Sequence, residues 1–178
     1  APSVDSSEYD LWLQFINRSV DEWANVNDWE ELRKIYFPSI TSDSTATVSM
    51  PTDFRKVATS PKLYSTGTNS SGYEEIPETI NENIGLYGPS DKYFTQLGNQ
   101  SDGISLIFHP ATMASGASLE IQYFSTPSSL ASVNQIPQMS DSQFVVDRTI
   151  AYIFEARSDP RFQQQESKAR DKLLQMVE

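Results

Sequence analysis

Cysteine is absent from this sequence of 178 residues, and histidine occurs once. The absence of cysteine excludes disulfides, thiolate nucleophiles and cysteine-based zinc or iron–sulfur sites, and it is compatible with synthesis in a reducing cytoplasm. No window reaches the roughly 20 apolar residues that a membrane-spanning helix needs. Residues 1–5 also lack the basic and apolar regions of a signal peptide. We therefore expect no membrane partner.

Basic residues are scarce relative to acidic ones. The sequence has 13 lysines and arginines against 24 aspartates and glutamates, so its formal net charge is −11. Nucleic-acid affinity rests mainly on lysine and arginine, which release counterions from the phosphates. The charge therefore argues against specific binding of nucleic acid. It is compatible with a surface past which double-stranded DNA moves without adhering.

Helical signals come first in the chain. Apolar residues recur at helical spacing after Ser7, which predicts a long helix with one buried stripe. Asn27 is a favourable N-cap, and acidic residues follow it in the next turn, where the helix dipole favours them. The pattern predicts a second, shorter helix that begins at Asn27 and ends before Pro38. The residues of the long stripe are Leu11, Phe15, Ile16, Val20 and Trp23.

Helical signals return in residues 141–178. Ser140 or Asp141 is the predicted cap of one helix, and the pair Asp159-Pro160 predicts the start of the last helix. Because both ends of the chain carry two predicted helices, we expect the two pairs to pack on each other.

The middle of the chain has a different character. Short β-prone runs are separated there by Pro, Gly, Ser and Asn. Residues 99–103 predict a hairpin loop between two of these runs, whereas residues 77–84 fit a helical turn and a strand equally well. The predicted runs are residues 45–50, 56–58, 92–97, 104–109 and 119–125.

These patterns predict an α+β protein. Its N- and C-terminal helices, in residues 1–40 plus 141–178, form a helical bundle, and residues 41–140 form an inserted antiparallel β-module.

Signals for catalysis are weak. His109 ends an apolar run, where a single histidine is usually structural, although the many serines leave a Ser–His–Asp arrangement open. The G-x-S-x-G elbow and the glycine-rich loops that cradle phosphates are absent. The carboxylate pairs Glu30–Glu31 and Glu74–Glu75 lack an apolar setting that would suit acid–base chemistry. We therefore expect no enzyme and no cofactor.

Four aspartates near the C-terminus could suggest a metal site, but their spacing matches no tight ligand motif. We therefore expect no metal. These residues are Asp141, Asp147, Asp159 and Asp171.

Basic residues are concentrated in the last predicted helix. Four of the thirteen lie within twelve positions, and two interpretations stay open. One is favourable charge near a helix C-terminus, with Glu166 and Asp171 as neighbours. The other is a surface for an acidic partner. On the second interpretation the candidate interface residues are Arg161, Phe162, Lys168, Arg170 and Lys172.

Several short segments carry a resemblance. An N-terminal helix precedes the Trp-Glu-Glu-Leu segment at 29–32, and residues 50–56 contain Pro-Thr-Asp-Phe-Arg, similar to a "Leu-Pro-x-Asp-Phe-Arg" signature. Residues 119–127 (LEIQYFSTP) resemble a strand of the type "hydrophobic-x-Tyr-Tyr-x-x-Pro". Residues 144–155, with the terminal helix that ends in Leu-Leu-Gln-Met, resemble a closing helical pair. Together these segments resemble the head-to-tail connector, or adaptor, proteins of tailed bacteriophages.

The resemblance implies a structural protein of the virion neck rather than an enzyme. A ring of copies, typically a dodecamer, would bind beneath the portal protein and join the DNA-filled head to the tail. A downstream neck or tail protein would then bind to the ring, and double-stranded DNA would pass through without specific binding. Each copy in such a closed ring uses two different faces. We expect the terminal helix to contact the portal and the β-module to contact neighbouring copies or the tail.

Two alternatives stay open. The chain could be a stopper or tail-terminator subunit of the same neck, which a six-fold ring would indicate. It could instead be a β-rich module that binds a carbohydrate or a peptide through exposed aromatic side chains. The candidate aromatic residues are Tyr64, Tyr73, Tyr87 and Tyr93.

Overall fold

A computed structural model describes residues 6–38, 47–64, 72–79, 86–88, 90–109, 117–132 and 134–177. These residues form three α-helices, one 3-10 turn and eight strands. The helices are α1 (Ser6–Val26), α2 (Gln143–Ala156) and α3 (Phe162–Val177), and the 3-10 turn is Glu30–Leu32. The strands are β1 (Arg33–Tyr36), β2 (Thr47–Ser49), β3 (Phe54–Val57), β4 (Lys62–Tyr64), β5 (Tyr73–Glu75), β6 (Tyr93–Asn99), β7 (Gly103–His109) and β8 (Ser118–Ser125).

The chain divides into two compact units. The helical unit comprises Ala1–Leu32 and Thr126–Glu178, and the sheet unit comprises Arg33–Ser125. The sequence predicts an inserted module at 41–140, so the two divisions differ in residues 33–40 and in residues 126–140. The coarse prediction of an α+β protein with antiparallel strands is confirmed.

Strand β8 is the centre of a five-stranded antiparallel sheet. It pairs with β1 along Ile121 to Phe124, with β3 near its C-terminal end and with β4 near its N-terminal end, and β5 pairs with β4. A second sheet has the order β2-β7-β6, also antiparallel. Each of the five predicted β runs overlaps an observed strand, whereas β1, β4 and β5 were not predicted.

The predicted hairpin loop joins β6 to β7, as expected. Gly98 has a positive φ of 95°, and a Cβ there would lie 2.2 Å from the carbonyl oxygen of Gly103. Gly98 is therefore required by both its backbone conformation and the close approach of the partner strand.

The predicted second helix after Asn27 is wrong. The chain makes one 3-10 turn, in which the Leu32 amide donates to the Trp29 carbonyl at 3.0 Å, and then becomes strand β1. The Trp29 indole donates to the Trp23 carbonyl at 2.7 Å and stacks on the Trp23 ring, which fixes this sharp exit from α1. A helix this short is marginal by itself, and pairing with β8 satisfies the backbone of β1 instead.

Each unit has its own apolar core. In the helical unit α2 packs against both α1 and α3, around Trp23, Leu32 and Phe144. In the sheet unit, alternate residues of β8 point to a core that includes Leu119 and Ile121, both fully buried. No helix within the described ranges has both the length and the apolar character to cross a membrane.

Candidate functional site

A groove of about 830 Å³ lies on the helical unit, where α1 and α3 flank α2. Such a volume is typical of protein binding sites. Both charged and apolar side chains line it. Each helix contributes to the lining: Arg18 and Asp21 come from α1, Phe144 and Arg148 from α2, and Glu166 and Arg170 from α3.

A charged network ties the three helices together in the groove. Arg148 donates to the Glu22 carboxylate from Nε at 2.6 Å and from Nη2 at 3.1 Å. Its Nη1 also donates to Glu166 at 3.3 Å. The Tyr152 hydroxyl donates to Glu22 as well. Because these residues come from α1, α2 and α3, the network holds the groove walls in place.

The charge states in this network are reinforced by their neighbours. Burial alone would raise the pKa of Glu22, but hydrogen bonds from Arg148 and Tyr152 outweigh it and hold that pKa below its ordinary value. The hydrogen bond to Glu22 raises the pKa of Arg148. Burial and the same carboxylate raise the pKa of Tyr152 to about 12. At neutral pH the network therefore consists of a carboxylate, a guanidinium and a neutral phenol.

A second polar cluster lies between α2 and α3. The Asp147 side chain is only 2% exposed, and it accepts hydrogen bonds from Lys168 at 2.8 Å, Gln165 at 2.9 Å and Gln143 at 3.1 Å. Burial would raise the pKa of Asp147, but Lys168 and the glutamines outweigh burial and lower it. This buried carboxylate is therefore charged and fully paired, and it anchors α3 on α2.

The predicted interface residues differ in their contacts within the chain. Arg161 pairs with Asp159 at the start of α3, and Phe162 is half-buried in the first turn. Lys168 pairs with the buried Asp147 of α2. Lys172 pairs with Asp141, which lies just before α2, at a distance of 2.5 Å.

Arg170 is the exception among the predicted cations. It is exposed, lines the groove, and forms no hydrogen bond or ion pair with any residue in the described part of the chain. The partners of Lys168 and Lys172 come from the α2 side, not from the neighbouring Glu166 and Asp171 that the sequence suggested.

Sequence reasoning missed Glu22 and the central role of Arg148. One signal was available: Arg148 stands between the apolar residues of the inner face of α2, where an unpaired guanidinium would be costly. The identity of its partner on α1 had no local signal, because Glu22 is distant in sequence.

In the sheet unit, two of the segments that carry the resemblance meet. Asp53 accepts hydrogen bonds from Lys34 at 2.6 Å and from the Tyr123 hydroxyl at 3.1 Å. The buried Phe54 ring contacts the Tyr123 ring, with a centroid distance of 5.6 Å. The Phe54 amide donates to the Pro51 carbonyl, which closes the tight turn. The Pro-x-Asp-Phe turn is therefore fixed on strand β8.

The environment of this contact also shifts two pKa values. Burial would raise the pKa of Asp53, but hydrogen bonds from Lys34 and Tyr123 outweigh it and lower the value. Burial and the Asp53 carboxylate raise the pKa of Tyr123 to about 12.

Two of the aromatic residues predicted to be exposed are buried. Tyr64 and Tyr93 are each 8% exposed, because both lie in paired strands. Tyr73 is exposed and Tyr87 is half-buried, in contact with Tyr93. His109 stacks on the Tyr93 ring at a centroid distance of 4.7 Å, which places the only histidine in an aromatic stack.

Among the residues that the structure describes, no three Asp, Glu or His side chains come close enough to hold a metal ion.

A scan of protein-family models finds none that matches this chain, and a search of curated proteins finds no similar sequence.

Proposed function

We propose that the chain is a non-enzymatic structural subunit of a tailed bacteriophage, a head-to-tail adaptor that forms a ring in the neck of the virion. Its N- and C-terminal helices serve as a helical bundle, and the sheet unit is the inserted β-module. The ring binds beneath the portal protein, joins the DNA-filled head to the tail, and provides a platform for the downstream neck protein.

One observation carries this proposal. The Pro-x-Asp-Phe-Arg segment and the segment at 119–127, both of which resemble the adaptor family, lie against each other through Asp53, Phe54 and Tyr123. Two short motifs that occur by chance have no reason to be neighbours in the fold. Their contact supports the interpretation that both belong to one structural element of that family.

The net charge of −11 supports the same role. A ring channel lined by acidic groups repels the phosphates of DNA, so that the genome slides through without adhering. A strongly basic subunit would instead bind the passing DNA and slow its movement.

The test is the mass of the assembled protein. Native mass spectrometry would be carried out on the purified chain alone and mixed with its candidate portal protein, with an unrelated ring protein as the negative control. The expected result is a twelve-fold ring, free or only on the portal. A six-fold ring would indicate a stopper or terminator subunit instead. A chain that stays monomeric and does not bind the portal would overturn the proposal and favour a binding module.

A further inference from the structure

The two ends of the five-stranded sheet are edge strands. In the order β1-β8-β4-β5, β1 pairs only with β8 and β5 pairs only with β4 among the described strands. Each edge strand presents a row of backbone N–H and C=O groups along its outer side, and such a row is a template on which another strand can pair. Every residue of β5 is exposed, and so are Arg33 and Ile35 of β1.

The two edges carry charge of opposite sign. β1 begins with Arg33 and Lys34, whereas β5 ends with Glu74 and Glu75. Lys34 and Glu74 each have an ion-pair partner in their own chain. Arg33 donates to the neutral side-chain amide of Gln122 at 2.5 Å, and the Glu75 carboxylate forms no hydrogen bond or ion pair with a described residue. The complementarity of the two edges therefore rests mainly on Arg33 and Glu75.

A single antiparallel register matches the two edges along three positions. In that register two cations lie opposite two carboxylates, and an exposed aliphatic side chain lies opposite an exposed aromatic ring. Directly opposed pairs of both kinds stabilise a sheet. The three pairs are Arg33–Glu75, Lys34–Glu74 and Ile35–Tyr73.

The same register keeps the two faces of the sheet continuous. Arg33 and Ile35 point away from the apolar core, because their pairing partners on β8 alternate with the core residues of that strand. The pairings from β8 through β4 to β5 place Tyr73 and Glu75 on the same outward face. All these strand pairs are antiparallel, so a β1 that lies antiparallel to β5 also continues the alternation of strand directions.

We propose that β1 of one copy pairs with β5 of the next copy, so that the five-stranded sheets join edge to edge around the ring. The inference rests on the proposed function, because a closed ring requires two different, complementary faces on every copy. The strands β1 and β5 meet this requirement, since they lie at opposite ends of one sheet. By contrast, full pairing of β5 with a second β5 places Glu74 opposite Glu74, which like-charge repulsion opposes.

Engineered disulfides test the pairing directly, because the chain contains no cysteine. Ile35→Cys and Tyr73→Cys are combined in one chain, and the assembled protein is oxidised and analysed on a non-reducing gel. Within one copy, three strand spacings of about 4.8 Å separate β1 from β5, which is too far for an internal disulfide. We expect a ladder of covalent oligomers that extends to the size of the ring.

The matched control combines Ile35→Cys with Leu97→Cys. Leu97 is 61% exposed and Tyr73 is 53% exposed, but Leu97 lies on β6, outside both edges. The control should therefore give no ladder. If rings form only on the portal, both variants are oxidised as portal-bound rings.

Charge reversal tests the register. Arg33→Glu and Glu75→Arg each place like charges opposite one another, so we expect each to raise the protein concentration at half assembly about tenfold. The double reversal restores the attraction and should return that concentration to within about threefold of the wild-type value. Asp10→Arg is the control for altered net charge, because Asp10 is exposed on α1, and it should change the concentration less than about twofold. Circular dichroism melts check that every variant is folded.

Other outcomes overturn separate parts of the inference. If the wild-type chain forms rings and the cysteine pair gives no more ladder than its control, the edge pairing is overturned and the proposed function stands. If Ile35→Cys alone cross-links into dimers as completely as the pair cross-links, β1 pairs with itself and the head-to-tail arrangement is overturned. If the double charge reversal does not recover assembly, this register is overturned. If the wild-type chain stays monomeric even with the portal, the proposed function fails, and this inference fails with it.

Discussion

Both units have an apolar core, but charged pairs also join the three helices of the helical unit, whereas the two sheets of the sheet unit meet through apolar side chains. In the helical unit, α3 meets α2 through Asp147 and Lys168 and through the network around Arg148. In the sheet unit, the inward residues of β8 pack on those of the second sheet, such as Leu106 and Phe108. Charged pairs depend on pH and salt far more than apolar packing does. The comparison therefore predicts different sensitivities for the two units.

The largest expected effects come from removing a buried ring in each unit. Trp23 in the helical unit and Phe94 in the sheet unit are 0% and 1% exposed, and truncation leaves a cavity. We expect Trp23→Ala and Phe94→Ala each to lower the free energy of unfolding by about 3–5 kcal/mol, as measured by urea denaturation. Hydrogen exchange should show the lost protection mainly in the substituted unit. Equal loss in both units would contradict the division into two cores.

The next effect is alkaline destabilisation, which should occur in both units. The pKa of Tyr152 and of Tyr123 is raised to about 12 in the folded chain, above the ordinary value of 10. A raised pKa contributes stability that is complete below pH 10 and is lost as the pH rises toward 12. For each of the two tyrosines, the free energy of unfolding should fall by up to about 2–3 kcal/mol over that range.

Tyr152→Phe and Tyr123→Phe test this expectation in the two units separately. Each variant should be less stable than the wild type at pH 8, because its carboxylate partner loses a donor, and should show a flatter decline between pH 9 and 11.5. Urea denaturation at a series of pH values measures both quantities. A decline as steep as that of the wild type would mean that the substituted tyrosine does not control alkaline stability.

A smaller effect separates buried from exposed ion pairs. Lys168→Met leaves the buried Asp147 carboxylate without its cation, which should cost about 1–3 kcal/mol. Lys92→Met removes the exposed pair with Glu74 in the sheet unit, which should cost less than about 1 kcal/mol. Thermal unfolding at low and high salt measures both. Similar losses of stability in the two variants would contradict the expected difference between the buried pair of the helical unit and the exposed pair of the sheet unit.

Much of the fold was predictable because its signals are local. The β runs, the hairpin at Gly98 and the turn at Asp159 each depend on residues that lie close together in sequence. The segment after Asn27 carries equally local signals for a helix start, yet β1 pairs with β8, which is far along the chain. A capping pattern predicts only that a helix is locally favourable, and a distant strand that satisfies the same backbone groups can override it.

The candidate site was less predictable for the same reason. The cluster of cations in α3 was visible in the sequence, but helical spacing gives only partners three or four residues away. The actual partners of Lys168 and Lys172 lie in or next to α2, and Arg148 reaches Glu22 on α1. Only the packing of the three helices shows that Arg170 is the α3 cation without an ion-pair partner among the residues that the structure describes.

The smallest predicted effect concerns the turn between α2 and α3. Ser158 has a positive φ of 52°, which is unfavourable for a residue with a Cβ, whereas in the described part of the sheet unit the positive-φ positions are the glycines Gly98 and Gly103. Ser158→Gly should therefore raise the free energy of unfolding by a few tenths to about 1 kcal/mol, because relief of strain exceeds the extra freedom of glycine in the unfolded chain. Chemical denaturation measures the change, and Ser142→Gly is the control, because Ser142 has a φ of −84° and should gain nothing. A loss of stability in Ser158→Gly would mean that the turn is relaxed and that the serine itself contributes to it.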